Sequence, residues 1–180
     1  MEIYGKTLLE HAVGLFETTR IKQIVTVIGY RAQDLTQILK ATSSHYVVNE
    51  KYQEGMFSSL QKGVGVLQDK CDAFFLLPAD IPFVHPETVQ KLLDEYYKNP
   101  SPLVFYPQFQ ARRGHPPLID SRLMNKILSY NGNDGLRGLL RKFKNQAVDV
   151  SVNDPFIQLD IDTPEDLLHI RNDMQNYLSC

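Results

Sequence analysis

The segment Ala73-Phe74-Phe75-Leu76-Leu77-Pro78-Ala79-Asp80-Ile81-Pro82 limits the fold of this chain more than any other stretch. Bulky apolar residues run unbroken to Leu77, and an aspartate follows between Ala79 and Ile81-Pro82. An apolar run this short and continuous reads as a strand buried on both faces, as in a parallel sheet covered by helices. In open α/β sheets ligands bind beyond the carboxyl ends of the strands. Asp80 is therefore aimed at a binding crevice, where its carboxylate suits a hard cation such as Mg²⁺. More simply, the same residue caps a turn ahead of Pro82.

The rest of the chain supplies the helices that such a sheet needs. Leu8, Leu9, Ala12, Leu15 and Phe16 recur at helical spacing within Thr7–Thr18, which predicts an amphipathic helix. Gln23–Gly29 is a β-branched run closed by glycine, hence a buried strand. Helices are predicted over Ala32–Leu39, Ser58–Leu67, Pro86–Tyr97, Ser121–Leu128, Leu136–Phe143 and Thr163–Tyr177, and further strands over Tyr46–Asn49, Phe74–Leu77, Leu103–Tyr106 and Val148–Val152. Pro86 and Glu87 open one helix; Thr163 caps the last, with Pro164, Glu165 and Asp166 in its first turn. Strand and helix in alternation predict one α/β domain over residues 1–180, a three-layer, mainly parallel sheet flanked by helices.

Composition narrows the partners. With 19 basic and 21 acidic residues the formal net charge is −2, without runs of like charge, which argues against a general grip on nucleic acid or an anionic membrane. Cys71 and Cys180 have no metal-ligand spacing and suggest no disulfide framework, so a reducing cytoplasm is the default. No apolar stretch reaches the roughly 18–20 residues that span a bilayer.

Four loops hold the residues able to do chemistry. Between Asn49 and Leu60, the chain passes Gly55 and enters a helix at Ser58-Ser59. Backbone N–H groups and two hydroxyls gather there, which favours a polar or anionic ligand, or Ser58 is a plain N-cap. The Asp80 crevice is the second. In the third, Ala111-Arg112-Arg113-Gly114-His115-Pro116-Pro117, two arginines and a histidine border a glycine. Glycine permits close approach to a ligand and arginine matches phosphate oxygens, unless the segment is a solvated basic turn. In the fourth, Leu159-Asp160-Ile161-Asp162-Thr163-Pro164-Glu165-Asp166, alternation puts Leu159 and Ile161 on one face of a short strand and Asp160 and Asp162 on the other. Asp162 either caps the next helix or is a second carboxylate on the cation of Asp80.

Taken in order, Asn49…Glu54-Gly55…Ser58-Ser59, Leu77–Pro82, Arg113–Pro116, Gly132-Asn133-Asp134-Gly135-Leu136-Arg137 and Asp160–Asp166 resemble the motifs of molybdenum cofactor nucleotidyltransferases. The likeness is to the cytidylyltransferase branch of the MobA-like NTP transferases and runs from about Lys6 onward. It implies a nucleotide-diphospho-sugar transferase (Rossmann-like) fold and transfer of CMP from CTP to molybdopterin or molybdenum cofactor, with release of pyrophosphate. It implies Mg²⁺ on Asp80 and Asp162 as the catalytic pair, with Asn49, Gly55, Ser58, Ser59 and Asp80 facing the nucleotide. Arg113, Gly114 and His115 would face the acceptor, and a molybdoenzyme or its chaperone would receive the product. Little covalent chemistry is asked of such a protein, because Mg²⁺ offsets charge between phosphates while the site aligns the acceptor.

Two departures stand out. Pro78-Ala79 precedes Asp80 where the family carries a glycine. The family's N-terminal strand and glycine-rich loop have no counterpart, since Tyr4–His11 corresponds to the segment after them. That loop cradles the triphosphate, so a truncated, inactive chain is expected, with its first strand missing and a gap in the sheet. Unpaired edges would then favour a homodimer. The alternatives are a non-catalytic molybdopterin- or nucleotide-binding relative and a sugar-phosphate nucleotidyltransferase. Two retained carboxylates argue against the former, and the Arg113–Pro116 and Gly132–Arg137 segments against the latter.

Overall fold

The computed structural model describes residues 1–163, 165–168 and 170. A short hairpin opens the chain, β1 (Glu2–Ile3) against β2 (Lys6–Thr7). Then come α1 (Leu8–Glu17), β3 (Val25–Ile28), α2 (Ala32–Leu39), β4 (His45–Val48), α3 (Met56–Leu67) and β5 (Ala73–Phe75). The second half runs α4 (Pro86–Lys98), β6 (Val104–Phe109), β7 (Arg112–Arg113), β8 (Leu118–Asp120), α5 (Met124–Ser129), α6 (Gly135–Arg141) and β9 (Ala147–Ser151). Residues 165–168 and 170 are helical, and the remainder of the helix expected over Thr163–Tyr177 lies outside the described residues. Among the described residues no helix is long and apolar enough to cross a membrane.

Two helix starts follow from sequence. The Thr7 hydroxyl accepts from the Glu10 amide at 3.2 Å while the Glu10 carboxylate accepts from the Thr7 amide at 2.7 Å, a capping box that begins α1. Helix α4 opens on Pro86, as predicted, where the missing N–H forgoes no intrahelical bond.

The sheet is mixed, which corrects the expectation of mainly parallel pairing. Strands β3 and β4 form a parallel pair, Val25 opposite His45 through Ile28 opposite Val48. In a separate five-stranded sheet β8 lies between β5 and β6, antiparallel to both, while β7 pairs antiparallel and β9 parallel with β6. Strands β5, β6 and β9 thus share one direction, and only β7 and β8 oppose it. The reversal comes from a tight turn at Gln110 (φ 48) and Ala111 (φ 62), left-handed values that two-residue hairpins need and that Asn-Gly usually supplies. Gln-Ala gives no such signal, so the segment read as a basic loop is instead β7, an interruption at residues 114–117, and β8. No ladder joins β3 to β5 among the described residues.

Successive side chains on a strand face opposite ways, and here they serve two helical layers. Phe105, Leu118 and Val150 pack with Leu15 of α1 and with Val89, Leu92 and Tyr96 of α4. Val104, Ile119 and Phe74 pack on the other face with Val64 of α3, Ile127 of α5, and Leu139 and Leu140 of α6. Each such fully buried side chain contributes on the order of 1.5–3 kcal/mol, and the three layers match the expected architecture. A third cluster joins Ile3, Phe83, Phe156, Ile161 and Ile170, holding the opening hairpin, the turn after Asp80 and the end of the described chain together.

Two local expectations need correction. The predicted helix Ser121–Leu128 is a 3-10 turn, Ser121–Leu123, followed by α5. Leu159–Ile161 forms no ladder, although the alternation survives: Ile161 is buried while Asp160 and Asp162 are exposed. Its hydrogen bonds go to loops rather than to a neighbouring strand.

Candidate active site

Asp80 sits in the turn that leaves β5, closed by the Ile81 amide donating to the Pro78 carbonyl at 3.2 Å. Its own main-chain carbonyl accepts from the Ile161 amide at 2.8 Å. The Asp80 Oδ1 atom is shut off from solvent and has no hydrogen-bond partner. A buried carboxylate oxygen left this way is costly unless something cationic or donating meets it.

Asp162 lies one residue beyond Ile161, so that backbone bond brings its segment beside Asp80. It does not cap the following helix. Thr163 does, its hydroxyl accepting from the Asp166 amide at 3.2 Å, while the Asp166 carboxylate accepts from the amides of Thr163 at 2.7 Å and Asp162 at 3.2 Å. Asp162 is exposed, which keeps its side chain available. Among the described residues, no three His, Cys, Asp or Glu side chains converge into a complete metal-binding group.

The interruption between β7 and β8 supplies the third segment. The His115 amide donates to the Ile157 carbonyl at 2.7 Å and the Gly114 amide to the Pro107 carbonyl at 2.9 Å. A Cβ at Gly114 would overlap the Ile157 carbonyl. The close approach that Gly114 permits is therefore to this chain's own backbone. Arg113 is also engaged: its Nε donates to Asp149 at 2.5 Å, and its guanidinium lies 4.2 Å from the centre of the Tyr106 ring. His115 remains. Its Nδ1 is buried without a partner. Burial lowers the His115 pKa from its ordinary value, against a hydrogen bond with the Leu76 backbone and the negative charge of Asp80, which both act to raise it.

The segment after β4 forms a closed knot. Asn49 is 4% exposed, and its side-chain amide donates to Ser58 Oγ at 2.8 Å and Ser59 Oγ at 3.0 Å. Its carbonyl oxygen accepts from the Lys51 amide at 3.0 Å, and Ser58 Oγ lies 2.8 Å from the Gly55 carbonyl. Gly55 adopts φ +98 where the chain enters α3, a conformation that favours glycine. The structure thus brings Asn49, Gly55, Ser58 and Ser59 together, and since α3 begins at Met56 after Gly55, Ser58 is not its N-cap. Asn49 and Ser58 line an open pocket of about 290 Å³ with Glu50, Lys51, Glu54, Gln61 and Lys62. Lys62 was not singled out by sequence, although it stands one helical turn after Ser58, a spacing that places both on one face. The Gly132–Arg137 segment has a structural occupation: the Asp134 carboxylate accepts from the Tyr130 hydroxyl at 2.5 Å and from Arg141 at 2.8 Å.

Comparison with known proteins places this geometry. The family model described as MobA-like NTP transferase domain matches residues 1–149. Nicotine blue oxidoreductase of Paenarthrobacter nicotinovorans is 28% identical over 172 residues, covering 92% of this chain and 83% of that protein. The chain spans about a quarter of the length of the bifunctional GlmU proteins that it also matches, 23% of the one from Buchnera aphidicola. Among solved structures, a nucleotidyl transferase from Methanothermobacter thermautotroptrophicus superposes with a TM-score of 0.81 at 19% identity, covering 98% of this chain and 84% of that one. The manganese complex of Rv0371C from Mycobacterium tuberculosis gives 0.78 at 18% identity, with 94% and 88% covered. Such neighbours share the nucleotide-diphospho-sugar transferase fold.

Proposed function

The chain belongs to the MobA-like NTP transferase family, and from that premise we propose that it moves CMP from CTP to a phosphate group of a molybdopterin-type acceptor, releasing pyrophosphate. Asp80 and Asp162 carry a divalent cation, the kind of hard ion that carboxylates hold. Asn49, Gly55, Ser58 and Ser59 shape the nucleotide side, and the segment 113–115 borders the acceptor side. The observation that carries this reading is the buried, unpartnered Oδ1 of Asp80 beyond the end of a buried strand, since a carboxylate so placed is stabilised by a cation. Rv0371C, a structural neighbour, has been solved with manganese, which agrees with a divalent ion in this fold.

When bound, the cation offsets negative charge between the phosphates of the nucleotide and its acceptor. The chain's own residues do the rest. The knot around Asn49 holds the start of α3 rigid, so that main-chain donors keep one arrangement, and Lys62 adds a positive charge on the same pocket. Such positioning is most of what phosphoryl chemistry asks of a protein.

A second acceptor class has an observation in its favour. Arg113 is taken up by Asp149 and Tyr106, and Asp134 by Tyr130 and Arg141. Arg113 and Asp134, from the two motifs that pointed away from a sugar phosphate, therefore have internal partners and no longer count against a sugar-phosphate acceptor.

The test is pyrophosphate release by the full protein with CTP, GTP or UTP, each offered molybdopterin or a panel of sugar phosphates in the presence of Mg²⁺ or Mn²⁺. The expected result is release with CTP and molybdopterin, reduced at least 100-fold in Asp80→Asn with an unchanged circular dichroism spectrum. Release confined to sugar phosphates would select the second acceptor class. Unchanged turnover in Asp80→Asn would remove the role of Asp80.

A further inference from the structure

We propose that His115, through Nδ1, is a ligand of the same cation as Asp80, giving the site a mixed nitrogen and oxygen donor set that favours Mn²⁺ over Mg²⁺. This rests on the reading above that Asp80 holds a divalent ion. Among the described residues, the buried side-chain polar atoms without a hydrogen-bond partner are two, Asp80 Oδ1 and His115 Nδ1. Buried polar groups are almost always satisfied, so two orphans in one place ask for a common explanation.

They are in one place because the same two segments hold both. His115 is tied through its amide to Ile157, and Pro117, two residues on, accepts from the Leu76 amide at 3.2 Å. Asp80, four residues after Leu76, is tied through its carbonyl to Ile161, four residues after Ile157. The charge of Asp80 acts on the His115 ring, yet the two side chains form no hydrogen bond with each other. Something placed between them would meet both.

The chemistry of the two atoms says what that is. A neutral imidazole carries a lone pair on one ring nitrogen, and such a nitrogen is a common metal donor. A carboxylate oxygen and an imidazole lone pair are both acceptors, and two buried acceptors held by the same segments are stabilised by a cation that meets both. Mg²⁺ is held by oxygen, whereas imidazole suits first-row transition ions. Gly114 and the two prolines that follow confine His115 to this position, because a side chain at residue 114 would collide with Ile157.

The experiment is electron paramagnetic resonance of the full protein with Mn²⁺ as the probe. Titration of the free-ion signal measures binding, and electron spin echo modulation reads nitrogen on the bound ion. Expected are nitrogen modulation in the wild type that changes on ¹⁵N labelling and disappears in His115→Ala, and Mn²⁺ binding weakened at least 10-fold in His115→Ala. His115→Ala should also narrow the preference for Mn²⁺ over Mg²⁺ in competition. The wild-type spectrum needs no variant, so it stands even if His115→Ala folds poorly. Binding that depends on Asp80 but shows no nitrogen modulation would overturn the role of His115 and leave the cation at Asp80 intact. Binding that Asp80→Asn does not weaken, or no binding, would overturn both.

Discussion

The main-chain carbonyl of Asp80 accepts a 2.8 Å hydrogen bond from the amide of Ile161. That bond fastens the turn after β5 to the segment carrying Asp162, and the burial of Ile161 in the cluster with Phe83 and Phe156 keeps it from sliding. Two acidic positions far apart in sequence become neighbours through backbone and packing. The positions are unequal. Asp80 is half-buried with a sequestered oxygen, while Asp162 is exposed.

The inequality predicts unequal effects on the cation. A charge near bulk water is screened more strongly than a buried one. Asp80→Asn is expected to weaken Mg²⁺ or Mn²⁺ binding more than Asp162→Asn does, and titration calorimetry on both variants measures the order. Equal losses would mean that the two carboxylates share the ion evenly.

Gly114 is predicted to act through backbone packing. Gly114→Ala places a methyl group against the Ile157 carbonyl and is expected to lower stability by about 1–3 kcal/mol, the usual range for overpacking. Arg113→Ala, which removes a half-exposed pair with Asp149, should lose less than about 1 kcal/mol. Urea denaturation compares them, and a Gly114→Ala variant of full stability with impaired acceptor binding would instead place this glycine against a ligand.

Asp154 is a structural centre that sequence did not mark. It is 1% exposed and accepts from the His85 amide at 2.8 Å, the Thr88 hydroxyl at 2.7 Å and the Phe156 amide at 3.0 Å. It joins the start of α4 to the turn that leads toward Ile157 and Ile161. Asp154→Ala strands several buried donors and is expected to cost about 2–4 kcal/mol. Thermal unfolding of the variant checks it.

Lys62 makes no ion pair among the described residues, although it lines the pocket beside Asn49 and Ser58. If it meets phosphate, Lys62→Gln should weaken CTP binding several-fold, with a smaller dependence on salt than the wild type, because one screened attraction is gone. Stability should barely change. Equal affinity and equal salt dependence in the two proteins would place Lys62 outside the nucleotide's reach.

Tyr96 offers a pH test. Burial, then the neighbouring Asp120 charge and its hydrogen bond, push its hydroxyl up from 10 to about 12. The unfolded chain therefore loses this proton first, and linkage makes the contribution of Tyr96 complete below about pH 10 and progressively lost between about pH 10 and 12. Among the chain's nine tyrosines, Tyr96 should ionise late in an ultraviolet titration. In Tyr96→Phe the alkaline loss of stability should be shallower over that window.

Much of the architecture was legible from local pattern. Helical periodicity located α1, α2 and α4, the β-branched and aromatic runs located β3, β5 and β6, and Thr163 with Asp166 marked a helix start that the hydrogen bonds bear out. The knot of Asn49, Gly55, Ser58 and Ser59 was equally readable, since all four lie within one short segment. The β7–β8 return was not, because Gln110-Ala111 makes a left-handed turn without the residues that announce one. Nor were the occupations of Arg113 and Gly114, whose partners Asp149 and Ile157 are distant in sequence.

Sequence by itself determined which segments bury their side chains and where an aspartate follows a buried strand, because burial writes a periodicity of about two or 3.6 residues into the chain. Only the tertiary structure decided that the sheet is mixed, that Ile161 holds Asp80, and that Asp80 Oδ1 and His115 Nδ1 are each left unpartnered between the same two segments. Those relationships are hydrogen-bond pairings between remote residues, and periodicity, which records what a side chain faces, carries no trace of which backbone lies opposite.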